Sequence, residues 1–186
     1  MPGVSMNIGS TDRLGRASPA FVSAQRSLQQ RAFVAELAQL ELAPTIAFDA
    51  PEFTPLTGAA IAAVSAERLG GIWLRANPSL QLLAFRHPVD VWYQAWKDGV
   101  PAAMPRLQRS WLAVYRRDDR VWRQRLTQAE FTVLSALAAG RPLAAALAKA
   151  PATAKFREWF AEWAQNGFFT ALRRGPATKP RRRDRG

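Results

Sequence analysis

The stretch from Trp111 to Arg174 constrains the fold more than any other part of the chain. It opens on two short runs of alternating apolar character, WLAVYRR (111–117) and RVWRQRL (120–126), with Asp118 and Asp119 between them. Two such runs joined by two acidic turn residues predict a β-hairpin. Thr127 follows at once, and Glu130 stands three residues further on. That spacing predicts a capping box, in which the threonine oxygen accepts from a free amide and the glutamate reaches back to the cap amide. Phe131, Leu134 and Leu137 then share one helical face, and Gly140 suits a left-handed stop. Pro142 opens a short second helix, Leu143–Lys149. Pro151 and Thr153 reset the chain for a third helix carrying Phe156, Trp159, Phe160 and Trp163, which Gly167 ends. FFTALRR (168–174) reads as a closing strand. Hairpin, three helices and strand is the layout of a winged-helix-like module, so the fold class expected is α+β, mostly helical.

Upstream of this module the signals are weaker. Residues 1–27 are rich in Gly, Ser, Pro and Arg and show no sustained period, which predicts a flexible leader. LQQRAFVAELAQLELA (28–43) predicts a helix with Phe33, Leu37 and Leu40 on one face and Pro44 beyond its end. Pro51 and Pro55 predict an extended connection, and Thr57 a cap for a helix over 58–64. Ile72–Arg75 reads as a strand and Pro78 as the opening of a helical turn. Pro88 suits the first turn of a helix with an apolar face of Val91, Trp92, Ala95 and Trp96, stopped by Gly99. The expected organisation is a flexible segment 1–27, a helical region 28–105, the module 106–174 and a disordered basic tail 175–186.

The formal charge of +12 suggests an anionic partner, but its distribution tempers that reading. Residues 173–186 hold seven basic residues against one acid, while the body 28–172 holds sixteen against twelve. A charged tail attracts phosphate backbones without specificity. The chain has no cysteine, which removes disulfides, thiolate metal sites and cysteine nucleophiles. No apolar run is long enough to span a bilayer and no signal-peptide core is present, so a cytoplasmic protein is expected. His87 is the lone histidine. It precedes a proline, and no serine or carboxylate pattern marks it as half of a nucleophile pair or as a metal ligand. Asp118 and Asp119 serve a turn rather than acid–base chemistry. An enzyme acting alone is not expected, and no metal or cofactor site is read in this chain.

A winged-helix-like module can be used in two ways. As a helix-turn-helix it would place one helix in the major groove of DNA, making the protein a transcriptional regulator. The second helix offers only Lys149 to bases. The third offers Lys155, Arg157, Gln165 and Asn166 but also Glu158 and Glu162, which phosphates repel. Arg116, Arg117, Arg120, Arg123 and Arg125 on the hairpin would contact backbone as a wing. Alternatively, an exposed strand edge accepts a peptide as an added strand. The groove between hairpin and third helix would be lined by Trp122, Trp159 and Trp163, with Arg123 and Arg125 nearby. Aromatic and arginine anchors suit a peptide, particularly an acidic one. Trp159 and Trp163 are also spaced i, i+4, the pattern of a core stripe.

Three segments carry a resemblance to a known family: QQRAFVAELAQLELA, ANPSLQLLAFRHPVDVWYQAW and RSWLAVYRRDDRVWRQRLTQAEFTVLSALAAGRPLAAAL. Together they run through most of residues 29–147, and the pattern of tryptophans, prolines and hydrophobics resembles the HvfC/BufC-like proteins, often labelled DNA-binding. Such proteins accompany multinuclear non-heme iron oxidative (MNIO) enzymes that modify ribosomally made peptides, and the methanobactin partner subunit is similar. The resemblance implies an accessory subunit in a heterodimer that engages the precursor peptide, with the iron held by the partner enzyme. On that reading Trp122, Arg123, Arg125, Trp159 and Trp163 would bind the leader. The segment with His87, Trp92, Tyr93 and Trp96 would face the partner enzyme, or else pack as a linker between helical lobes. No membrane partner is expected.

Overall fold

The computed structural model describes residues 19–62, 70–148, 150–151 and 155–174. The chain is a mixture of helix and strand with two small sheets. Its elements run α1 (Pro19–Asp49), α2 (Gly58–Ala62), β1 (Ile72–Ala76), β2 (Gln81–Phe85), α3 (Val89–Lys97), β3 (Ser110–Arg117) and β4 (Arg120–Leu126). Then follow α4 (Gln128–Ala138), α5 (Leu143–Leu147), α6 (Phe156–Gln165) and β5 (Phe169–Arg174). The basic tail lies outside the described residues, as do residues 1–18 of the expected leader.

The central layer is the antiparallel sheet β2-β3-β4. β3 is buried along nearly its whole length because both of its faces are covered. Leu112 and Val114 face α1 and α3, meeting Phe33, Leu40, Ala43, Ala47, Phe85 and Val89. Ala113 and Tyr115 face the opposite way, into the main core of α4, α5, α6, β1 and β5. That core closes through aromatic contacts: Tyr115 meets Phe168 edge-on at 4.7 Å between ring centroids, and Phe160 stacks on Phe169 at 5.8 Å.

The local signals between Asp118 and Gly167 operate as the spacing predicts. Asp118 and Asp119 both adopt positive φ (51° and 55°), the type I′ geometry whose twist matches a two-residue hairpin. Glu130 N–H donates to Thr127 Oγ1 at 3.2 Å, and Thr127 N–H donates to Glu130 Oε2 at 2.7 Å, completing the capping box. Gly167 (φ 71°) ends α6: its N–H donates to Ala164 O and that of Phe168 to Trp163 O, as Gly140 ends α4. This turn drops Phe168 and Phe169 into the core.

Other expectations are corrected. α1 does not stop at Pro44 but continues to Asp49, and it begins at Pro19, inside the segment expected to be flexible. A helix-interior proline costs about 3 kcal/mol. It is tolerated here because Ala43 and Ala47, on either side of it, are buried against Val114. The helix end is also held from outside: Arg116 donates to Phe48 O (2.8 Å), Ala50 O (2.9 Å) and Pro51 O (3.2 Å), satisfying carbonyls that a helix terminus leaves free. Pro78 opens no helix. Asn77 Oδ1 accepts from Ser79 N–H and Oγ, and the chain turns into β2. The same Asn77 donates from Nδ2 to Gly167 O, and its N–H donates to Phe168 O, so this buried amide joins the end of α6 to the β1–β2 corner.

The region 28–105 and the module 106–174 share both sheets. β2 pairs antiparallel with β3, from Gln81↔Val114 to Phe85↔Ser110. β5 does not return to the hairpin; it pairs antiparallel with β1, from Ile72↔Arg174 to Leu74↔Leu172, with a bulge at Arg75/Ala76. Residues before 105 therefore supply a strand to each sheet of the expected module. Among the described residues no helix is long and apolar enough to cross a membrane.

Candidate functional site

Strand parity divides the residues expected to grip a peptide. Along β4, Trp122, Gln124 and Leu126 point to one face of the sheet and Val121, Arg123 and Arg125 to the other. The five side chains Trp122, Arg123, Arg125, Trp159 and Trp163 therefore do not line a single groove. Trp163 is fully buried, stacked on half-buried Trp159 at 6.1 Å in the main core. It is a packing residue, and the i, i+4 spacing on α6 reports a core stripe.

The cleft between the hairpin and α6 is filled by the chain's own polar side chains. Gln124 Nε2 donates to Glu162 Oε1 (2.7 Å), Asn166 Nδ2 donates to Gln124 Oε1 (2.9 Å), and Arg117 Nη1 donates to Asn166 Oδ1 (2.9 Å). Trp122 sits at the rim of this network, 41% exposed, with the Arg117 guanidinium 5.2 Å from its ring centroid.

The other face of the hairpin carries an open groove of about 590 Å³ between β4 and α3. Leu112 forms its apolar floor, Val91 and Ala95 line one side, and Arg123 and Arg125 the other. Arg125 forks onto Asp90 with Nε on Oδ2 and Nη2 on Oδ1 at 3.0 Å. That hydrogen bond raises the Arg125 pKa above its ordinary value, outweighing the opposing effect of burial. The Arg123 guanidinium lies 5.2 Å from the Tyr93 ring centroid, and its Nη2 donates to Gln94 Oε1 at 3.3 Å. Lys97 approaches the same ring at 5.5 Å, so Tyr93 stands between two cations.

Thus Arg123 and Arg125, expected to hold a peptide, and Tyr93, expected to face an enzyme, belong to one surface. Trp96 on the outer side of α3 is 60% exposed. Trp92 is half-buried, edge-on to Phe33 at 5.2 Å, with its indole N–H donating to Ala102 O. The buried edge of α3 runs through Val89 and Trp92, leaving Val91 and Trp96 outside. His87 is corrected more strongly. It is 1% exposed, and its Nδ1 lies 2.8 Å from Glu36 Oε2. Glu36 also accepts the backbone N–H groups of Arg86 (2.8 Å) and His87 (3.1 Å). This buried knot pins the start of α3 to α1 and presents nothing to a partner.

The unpaired margin of β4 adds backbone chemistry to the groove. In a two-residue I′ hairpin the flanking pair Arg117↔Arg120 exchanges hydrogen bonds, and the exchange recurs at every second pair. The N–H and C=O groups of Val121, Arg123 and Arg125 therefore point away from β3. Among the described residues no strand pairs with that side.

Asp90 and Gln94 were missed as groove residues. Their i, i+4 spacing, facing a strand with arginines at alternate positions, is the signal that would have found them. Glu36 carried a signal too: a carboxylate three residues from Phe33 on an apolar face requires an internal partner. No family model matches the chain, and no curated protein or solved structure is significantly similar to it.

Proposed function

We propose that the protein is a non-catalytic accessory subunit that captures the leader of a ribosomally made peptide as an added strand along β4. It presents that peptide to an MNIO-type iron enzyme in the cytoplasm. The single observation behind this reading is the margin of β4, unpaired among the described residues, running beside the α3 groove. Main-chain groups of Val121, Arg123 and Arg125 supply sequence-independent affinity, and the groove selects side chains. In this reading the hairpin, α4, α5, α6 and β5 form a winged-helix-like unit whose wing is the peptide-binding element. Trp96 and the adjoining outer side of α3 contact the enzyme, which carries the iron. The subunit acts by positioning, converting a loose encounter between peptide and metal centre into a local one.

The resemblance to the HvfC/BufC-like proteins and the geometry of β4 support the same reading independently. The test is a titration of the purified protein with a synthetic acidic peptide of leader length. The Arg123→Glu, Arg125→Glu double variant is expected to lose binding by at least tenfold. Undiminished binding by that variant refutes the groove. Binding of duplex DNA with sequence preference, and none of the peptide, would instead favour a transcriptional regulator.

A further inference from the structure

We propose that the outward face of the β1–β5 ribbon binds single-stranded nucleic acid, at a place separate from the peptide groove. Trp73 is 40% exposed on this face, and its cross-strand partner is Arg173. Arg75 follows Trp73 by two residues and so shares its face; it and Arg173 are both exposed. The ribbon thus presents one indole with one arginine across from it and another two residues along its own strand. Beside it runs a groove of about 410 Å³, lined by Trp73 to Ala76 of β1, by Ala138 and Gly140 at the end of α4, and by Arg173. No acidic side chain is among them.

Chemistry favours a single strand over other polyanions. An exposed indole offers a stacking surface to an unpaired base, while nearby guanidiniums meet the phosphates. A duplex hides its base faces and leaves Trp73 without a partner. The far wall of the groove is the end of α4, whose terminal carbonyls carry partial negative charge. That end disfavours a phosphate, so the backbone belongs on the arginine side. The sequence continues from Arg174 into residues 175–186, which carry five further basic residues and one acid. Charge of that kind raises non-specific affinity and its salt dependence.

The test is fluorescence anisotropy of a labelled twelve-residue oligothymidylate with the full chain, across a range of salt. Trp73→Ala is expected to weaken binding about tenfold with an unchanged salt slope, the loss typical of one stacked base. Trp73→Phe is expected to retain most of the affinity. Arg75→Gln with Arg173→Gln should reduce the magnitude of the salt slope by roughly 1.4, about 0.7 for each phosphate no longer neutralised. Unfolding midpoints check that each variant is folded; should Trp73→Ala not fold, Trp73→Phe and the arginine pair decide. Three results overturn the proposal: no binding at low salt, equal competition by a duplex of the same length, or wild-type affinity for Trp73→Ala. In the last case, loss of binding on replacing the five basic residues of 175–186 by glutamine would assign the affinity to tail charge alone.

Discussion

The two faces of the β3–β4 hairpin are built from adjacent residues of the same strands, yet one is closed and the other open. On the α6 side, Tyr115 and Leu126 enter the main core, and Gln124 is tied to Glu162 and Asn166. On the α3 side, Leu112 packs down against Phe33 and Leu40 of α1, and above it Arg123 and Arg125 reach across a groove to Tyr93, Gln94 and Asp90. The difference lies in what each helix brings to the sheet. α6 offers Phe160 and Trp163, large enough to fill the space beneath the hairpin. α3 turns Val89 and Trp92 toward α1 and meets β4 mainly through polar and charged groups. A helix that meets a strand through long polar side chains leaves room for a third chain.

The contrast predicts unequal costs. Trp163→Ala should be the most damaging change, destabilising by about 3–5 kcal/mol because it empties a fully buried site. Val91→Ala, in the open groove, should stay within about 0.5 kcal/mol of wild type. Urea denaturation of both variants checks this, and similar midpoints would erase the distinction between closed and open faces. Glu36→Ala should cost about 1–3 kcal/mol by leaving buried backbone donors without an acceptor. The same variant should weaken peptide capture, because α3 loses its anchor on α1.

A double-mutant cycle of Arg125→Ala and Asp90→Ala sharpens the picture of the open face. The pair is partly exposed and solvent-screened, so its coupling should be at most about 1 kcal/mol. A larger coupling would mean that the groove wall is a rigid structural element. The smallest effect concerns pH. Burial raises the Tyr115 phenol above its ordinary pKa of 10.0, with Glu162 adding to the rise and Arg117 opposing it. The folded state thus holds this proton more tightly than the unfolded chain does. Stability from this source is fully present below pH 10.0 and lost as pH rises through the folded value. Tyr115→Phe should flatten the fall in stability above pH 10.0, measured by denaturation.

Signals confined to a few neighbouring residues were legible in the sequence. The Thr127–Glu130 box, the Asp118–Asp119 turn and the Gly140 and Gly167 stops each depend on local geometry alone. What depended on distant partners was not. Pro44 reads as a terminator until Val114 covers the helix beyond it and Arg116 takes up its last carbonyls. Gln81–Phe85 shows little strand character without β3 beside it. For the site, the sequence named Arg123, Arg125 and Tyr93 but assigned them to separate surfaces, because the packing of α3 against β4 is not encoded locally. One error was avoidable: Trp122 and Arg123 are adjacent on a strand, and alternation alone separates them.

Residue-resolved amide exchange of β4, with and without leader peptide, tests the strand-addition account most directly. In the free protein the amides of Trp122 and Gln124 should exchange slowly and those of Val121, Arg123 and Arg125 rapidly. Added peptide should slow the latter set and leave the amides of α6 unchanged. Saturating peptide that leaves Val121, Arg123 and Arg125 exchanging at their free rates would contradict it.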